Sequence, residues 1–106
     1  MKQGFFAQHW DDGMGHPAGG VSSGRGFTIS WQNGPLGRGA DRKDPNGAFV
    51  EDIIDAAKGR LEFYEAGEFA CKQNKEALHH LEEALRWLND RTTRREERAV
   101  EGTHAV

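Results

Sequence analysis

The chain has 106 residues, a formal net charge of −3, 36% hydrophobic residues and a mean hydropathy of −0.80. A core this small buries a low fraction of its surface, so one domain completed by partner copies is expected. The acidic balance argues against a general binder of DNA or RNA polymers, no apolar run reaches membrane-spanning length, and the lone cysteine, Cys71, excludes an intrachain disulfide and a paired-cysteine zinc site.

In chain order, residues 1–6 lack the apolar core of a signal peptide, which points to a soluble cytoplasmic protein that does not engage membranes. Residues 1–25 are glycine-rich, with Pro17, and read as an irregular arm carrying at most a short edge strand around Phe5 and Phe6. Residues 26–44 read as a short β region. Phe27, Ile29 and Trp31 alternate with polar residues, the period of a half-buried strand, and Asn33-Gly34-Pro35 signals a turn. Residues 36–43 are expected to return as a second strand.

Residues 45–106 read as a helical hairpin. Asn46 is expected to cap the first helix, over residues 48–64, where Phe49, Ile53, Ala57, Leu61 and Tyr64 recur at spacings of three and four. The short connection 65–68 includes Gly67, which is expected in the left-handed conformation that ends helices. The second helix, over residues 69–98, carries an inner stripe of Ala70, Leu78, Leu81, Leu85 and Leu88. The fold class is therefore α+β: a small N-terminal antiparallel β region followed by a long antiparallel two-helix hairpin, oligomeric.

Polar residues bracket that stripe. Asn74 precedes Leu78 by one turn, and Arg91 and Arg95 follow Leu88. Asn74 and Arg91 are separated by about 26 Å of helix, too far for one small ligand to bridge within a chain. In an antiparallel pair of long helices from two chains, Asn74 of one protomer approaches Arg91 of its partner, and a two-fold dimer makes two equivalent sites. Guanidinium forks match phosphate oxygens, and the Tyr64 ring at the hairpin tip offers a stacking surface for a base.

Plainer readings stand beside these. Tyr64 closes a hydrophobic tip, Asn74 is an exposed helix residue, and Arg91, Arg94, Arg95 and Arg98 interleave with Glu96 and Glu97 as a solvated face. The spacing of Gly34, Gly37 and Gly39 does not match a phosphate loop. His9, Asp11, Asp12 and His16 lack a metal-ligand spacing. His79 and His80 point in different directions. Cys71 reads as a small buried side chain in preference to a nucleophile paired with His104.

One resemblance overturns the plainer reading for Arg91 and Arg95, but not for Arg94 and Arg98. The runs Arg60-Leu61-Glu62-Phe63-Tyr64, Phe69-Ala70-Cys71-Lys72-Gln73-Asn74 and His80-Leu81-Glu82-Glu83-Ala84-Leu85-Arg86-Trp87-Leu88 carry it. Arg91-Thr92, Arg95-Glu96 and Val100-Glu101-Gly102-Thr103-His104 extend it, and Ile29-Ser30-Trp31-Gln32-Asn33-Gly34-Pro35 adds the N-terminal part. Together these resemble the phage anti-Thoeris sponge family, whose helical hairpin is shared with the anti-CBASS cyclic-nucleotide sponges. The tip aromatic is Tyr64 where the family pattern has Phe, and Lys72-Gln73-Asn74 stands where it has Arg-Glu-Asn.

The resemblance implies a non-enzymatic, cofactor-free protein of the host-cell cytoplasm. It implies sequestration of cyclic ADP-ribose isomers such as 1″–3′ glycocyclic ADP-ribose. Cyclic di- or trinucleotides would bind at a second site. It also implies a homo-oligomer built from dimers into a hexamer. The ligand-binding residues it implies are Tyr64, Asn74, Arg91 and Arg95. The alternative is an adaptor hairpin that binds protein helices through its leucine stripe.

Overall fold

The structure is a computed structural model and describes residues 4–98 and Thr103. Residues 100–102 and His104, which contribute to the C-terminal resemblance, lie outside the described residues, as does the Cys71–His104 pairing. Two compact units divide at Phe49/Val50: an N-terminal sheet unit and a helical unit, Val50–Glu97.

The sheet unit holds β1 (Phe6–Asp11), β2 (Pro17–Gly24) and β3 (Phe27–Asn33), antiparallel in the order β1-β2-β3. The expected strand around residues 27–32 is present. The expected irregular arm is not: most of the glycine-rich segment is β1 and β2. Glycine serves close approach there. A Cβ at Gly20, whose φ of 152° disfavours L side chains, would collide with the Gln8 carbonyl on β1. Gly24 lies under the Phe27 ring, which replaces the missing side chain as cover.

One polar contact pins the sheet's inner side. Trp31 Nε1 donates to Ser22 Oγ at 2.9 Å, and Ser22 is buried. Ser22→Ala leaves the indole N–H without this acceptor. It is expected to lower stability by about 1–2 kcal/mol in denaturant unfolding, whereas Ser22→Thr retains most of it.

The β1–β2 turn uses the acidic residues of its own sequence. Asp11 Oδ1 accepts from the Gly13 amide at 2.7 Å, and Asp12 Oδ1 accepts from the Met14 and His16 amides. The Met14 amide, with His16 beside it, holds the Asp12 carboxyl below its ordinary range.

Residues 36–43 do not return as a strand. They form a loop closed by the Lys43 amide on the Leu36 carbonyl at 2.7 Å, with a 3₁₀ turn at Gly39–Asp41. Residues 46–48 take the place beside β3 that the second strand was expected to occupy. Ala48 bridges Trp31 in parallel, donating to Ser30 O and accepting from Gln32 N. Asn46 does not cap a helix. Its amide mimics a strand backbone, with Oδ1 accepting from Asn33 N at 2.8 Å and Nδ2 donating to Asn33 O at 3.0 Å. Gly47 is required between them, since a Cβ there would lie 2.6 Å from the Trp31 carbonyl.

The helical unit contains α1 (Val50–Glu65) and α2 (Lys72–Glu97). Glu51 and Asp52 occupy the first turn of α1, where negative charge complements the helix dipole. The expected hairpin is present with shifted boundaries. Gly67 does not adopt a positive φ. The connection closes instead through Gly67 N on Tyr64 O at 3.1 Å and Ala70 N on Gly67 O at 3.4 Å.

On α2, Asn74, Leu78, Leu81, Leu85, Leu88, Thr92 and Arg95 are all half-buried. Their steps of four and three keep them on one face of the helix. Among the described residues no hydrophobic side chain is buried, and Trp87 is 68% exposed. No helix among them is long and apolar enough to cross a membrane.

Candidate ligand-binding site at the hairpin tip

The last turn of α1 and the first turn of α2 meet at the connection, and the sequence builds the tip from both sides. Arg60, Phe63 and Tyr64 stand at i, i+3 and i+4 on α1, so they share a face. The Tyr64 ring lies 6.1 Å from the Phe63 ring and meets Phe69 edge-on at 6.4 Å. Phe63 and Phe69 are 65% and 68% exposed, which leaves an aromatic surface facing solvent beside the half-buried Tyr64.

Asn74 joins this cluster from α2. Its Nδ2 donates to the Phe69 carbonyl at 3.1 Å, so Tyr64 and Asn74 converge on the same residue. That bond fixes the side-chain amide, because a carbonyl can accept only from the –NH₂ end. The Asn74 Oδ1 accepts from no described residue and is left to take a donor.

The start of α2 is capped by an unusual residue. Cys71 is exposed, not buried as its size suggested, and its Sγ accepts from the Asn74 amide at 3.4 Å. The Cys71 amide in turn donates to Glu65 Oε1 at 2.8 Å, tying the end of α1 to the start of α2. This chain of bonds positions Asn74. A hydroxyl caps better than a thiol, so Cys71→Ser is expected to hold or raise stability, while Cys71→Ala lowers it by about 0.5–1 kcal/mol in thermal unfolding.

Arg91 and Arg95 are not brought to this tip within one chain. They follow on α2 at least about 26 Å along the axis from Asn74. Arg95 lies on the half-buried seam, whereas Thr92 takes the seam position next to Arg91. Arg91 is exposed and makes no hydrogen bond or ion pair with another described residue. Arg94 belongs to the solvated face: its Nε donates to Asp90 at 2.9 Å, and that carboxylate pushes the guanidinium pKa up. Glu83 engages His79 and, at 4.0 Å, His80.

The arrangement offers stacking rings, a fixed amide acceptor and, farther along the helix, the Arg91 guanidinium, which pairs with no carboxylate among the described residues. Periodicity missed Arg60, Glu65 and Phe69, although the Arg60–Tyr64 spacing of four was a readable signal. A family model described as the Acb2/Tad1 hairpin domain matches residues 25–93, well over half of the chain. The chain belongs to the Acb2/Tad1 hairpin family. Tyr64, Asn74 and Arg91 fall inside the matched Acb2/Tad1 region, and Arg95 lies just beyond it. The chain is also similar to Thoeris anti-defense 1 of Bacillus phage SBSphiJ7, at 43% identity over 82 residues. That match covers 77% of this chain and 55% of the phage protein, so the chain spans about half the length of this Acb2/Tad1 relative.

Proposed function

We propose that the protein is an anti-defence sponge. It binds a cyclic nucleotide immune signal in the host-cell cytoplasm and holds it without cleaving it. The observation that carries this reading is the convergence of Tyr64 and Asn74 on Phe69 at the hairpin tip, inside the region matched by the family. Tyr64 stacks on the base, Asn74 accepts from the base or ribose, and Arg91 and Arg95 of the partner protomer hold the phosphates. The name of the phage relative supports Thoeris signalling as the target, and so a cyclic ADP-ribose isomer such as 1″–3′ glycocyclic ADP-ribose as the ligand.

The site needs a second protomer. Two physical features support an oligomer: the α2 seam with no buried hydrophobic side chain among the described residues, and the ten-residue excess of α2 over α1. Dimers pairing α2 antiparallel supply the site, and their assembly into a hexamer provides the second site for cyclic di- and trinucleotides. Sequestration requires no chemistry, since a sponge in excess of the signal and binding it tightly removes the free form.

Isothermal titration calorimetry with 1″–3′ glycocyclic ADP-ribose, its 1″–2′ isomer and cyclic di- and trinucleotides tests the reading. Saturable binding near one cyclic ADP-ribose per chain, with intact ligand recovered after denaturation, is expected. Binding of cyclic oligonucleotides alone moves the target to CBASS signalling. No heat with any ligand removes the sponge reading and leaves the leucine seam as a surface for protein helices.

A further inference from the structure

Arg60 precedes Tyr64 by one turn of α1 and touches it in more than one way. Its Cζ lies 5.0 Å from the Tyr64 ring centroid and 5.1 Å from that of Phe63, both within reach of a cation–π attraction. Its Nε also donates to the Tyr64 hydroxyl oxygen at 3.1 Å. Arg60 makes no ion pair with a described carboxylate, so charge neutralisation does not explain its place.

The geometry points to Arg60 as the positioning residue for the Tyr64 ring in the ligand site, an inference that rests on the nucleotide-binding role of that ring. A stacking side chain that is free to change rotamer loses its freedom when the ligand binds, and this weakens affinity. Tyr64 is fixed before binding. Phe69 meets the ring edge-on, Phe63 flanks it, and Arg60 holds the hydroxyl at its far end.

The hydroxyl is what makes the restraint specific. Its oxygen accepts from a cation, and a charged donor gives a stronger hydrogen bond than a neutral one. A phenylalanine here would keep the cation–π contact and lose the anchor. The planar guanidinium also matters, because it faces two rings and donates from Nε together. An ammonium is a compact point charge that keeps only part of this arrangement.

The hydroxyl also changes as a donor. Accepting from Arg60 polarises the O–H bond, so its hydrogen becomes a stronger donor toward an oxygen of the ligand. Arg60 thus acts through Tyr64 in two ways, by holding the ring and by sharpening its hydroxyl.

Two measurements test this. Tyr64 is the single tyrosine of the chain, so ring-¹³C labelling gives one assignable signal. In the ligand-free full chain, Arg60→Ala is expected to move the Tyr64 Cζ resonance while helix content by circular dichroism stays constant. In calorimetry with 1″–3′ glycocyclic ADP-ribose, Arg60→Ala is expected to weaken binding about tenfold and Arg60→Lys about threefold. In a Tyr64→Phe background the Arg60→Ala loss is expected to shrink to about threefold or less, because the hydroxyl anchor is already gone.

Equal losses in both backgrounds overturn the inference, since Arg60 then acts without the hydroxyl. Unchanged affinity in Arg60→Ala, or an unmoved Tyr64 resonance, overturns it as well. Each of these leaves the sponge reading standing. If the unsubstituted chain binds no nucleotide, both fall. Should Arg60→Ala lose helix content, Arg60→Lys with its own resonance and affinity carries the decision.

Discussion

Arg91→Glu is expected to abolish binding of the cyclic ADP-ribose ligand while leaving helix content and oligomeric state unchanged. Arg91 is exposed on α2 and makes no hydrogen bond or ion pair with another described residue, so replacing it removes no internal support. Its proposed role is a charge-assisted contact with phosphate, whose loss alone is worth about 1.5–3 kcal/mol. Reversal adds repulsion between the new carboxylate and the phosphate. The combined effect on the dissociation constant is about a thousandfold or more, and calorimetry with size-exclusion chromatography on the same samples reads both quantities. Arg94→Glu serves as the control: Arg94 is paired with Asp90 on the solvated face, and its loss is expected to leave affinity nearly unchanged. Unaltered binding by Arg91→Glu would remove Arg91 from the site.

Mixing two inactive variants is expected to restore binding. Asn74→Ala and Arg91→Ala each disable every site in their own homo-oligomers. A dimer containing one chain of each carries one site with both residues intact and one with neither, as two-fold symmetry requires. Random pairing after co-refolding therefore returns about one quarter of the sites at unaltered affinity. Calorimetric stoichiometry measures this directly, and it separates a few good sites from many weakened ones. If the mixture binds no better than either variant alone, Asn74 and Arg91 do not meet across a dimer. The result bears on the roughly 26 Å of helix between them, which no compact ligand spans within one protomer.

The α2 seam is legible in the residues themselves. Leucine at 78, 81, 85 and 88 keeps the helical period, and the structure finds these residues half-buried on one face with Asn74 and Arg95. Strand β3 is equally legible, because Phe27, Ile29 and Trp31 alternate with polar residues. Both signals are local: a periodic apolar pattern needs only its own element to be recognised. A short connection between two periodic segments forces their ends together, which puts Tyr64 and Asn74 near the tip.

The remaining elements depended on partners distant in sequence. Glycine-rich β1 and β2 carry almost no apolar alternation, and their glycines make sense only once Gly20 is seen against Gln8 and Gly24 under Phe27. Asn46 has the composition of a helix cap, yet its amide matches the backbone of Asn33, thirteen residues earlier, and pairs with that instead. Gly67 has the identity of a left-handed terminator, but the connection closes through carbonyls that need no positive φ. Cys71 reads as a core residue, and it caps α2 because Glu65 and Asn74 bracket it in space. The helical hairpin, its seam and strand β3 are written in local order alone, since periodicity is a property of neighbours along the chain. Tertiary structure alone decided the three-stranded sheet, the cap of α2 and the Arg60–Tyr64 contact, since each depends on where a hydrogen-bonding or aromatic group finds its partner after the chain has folded.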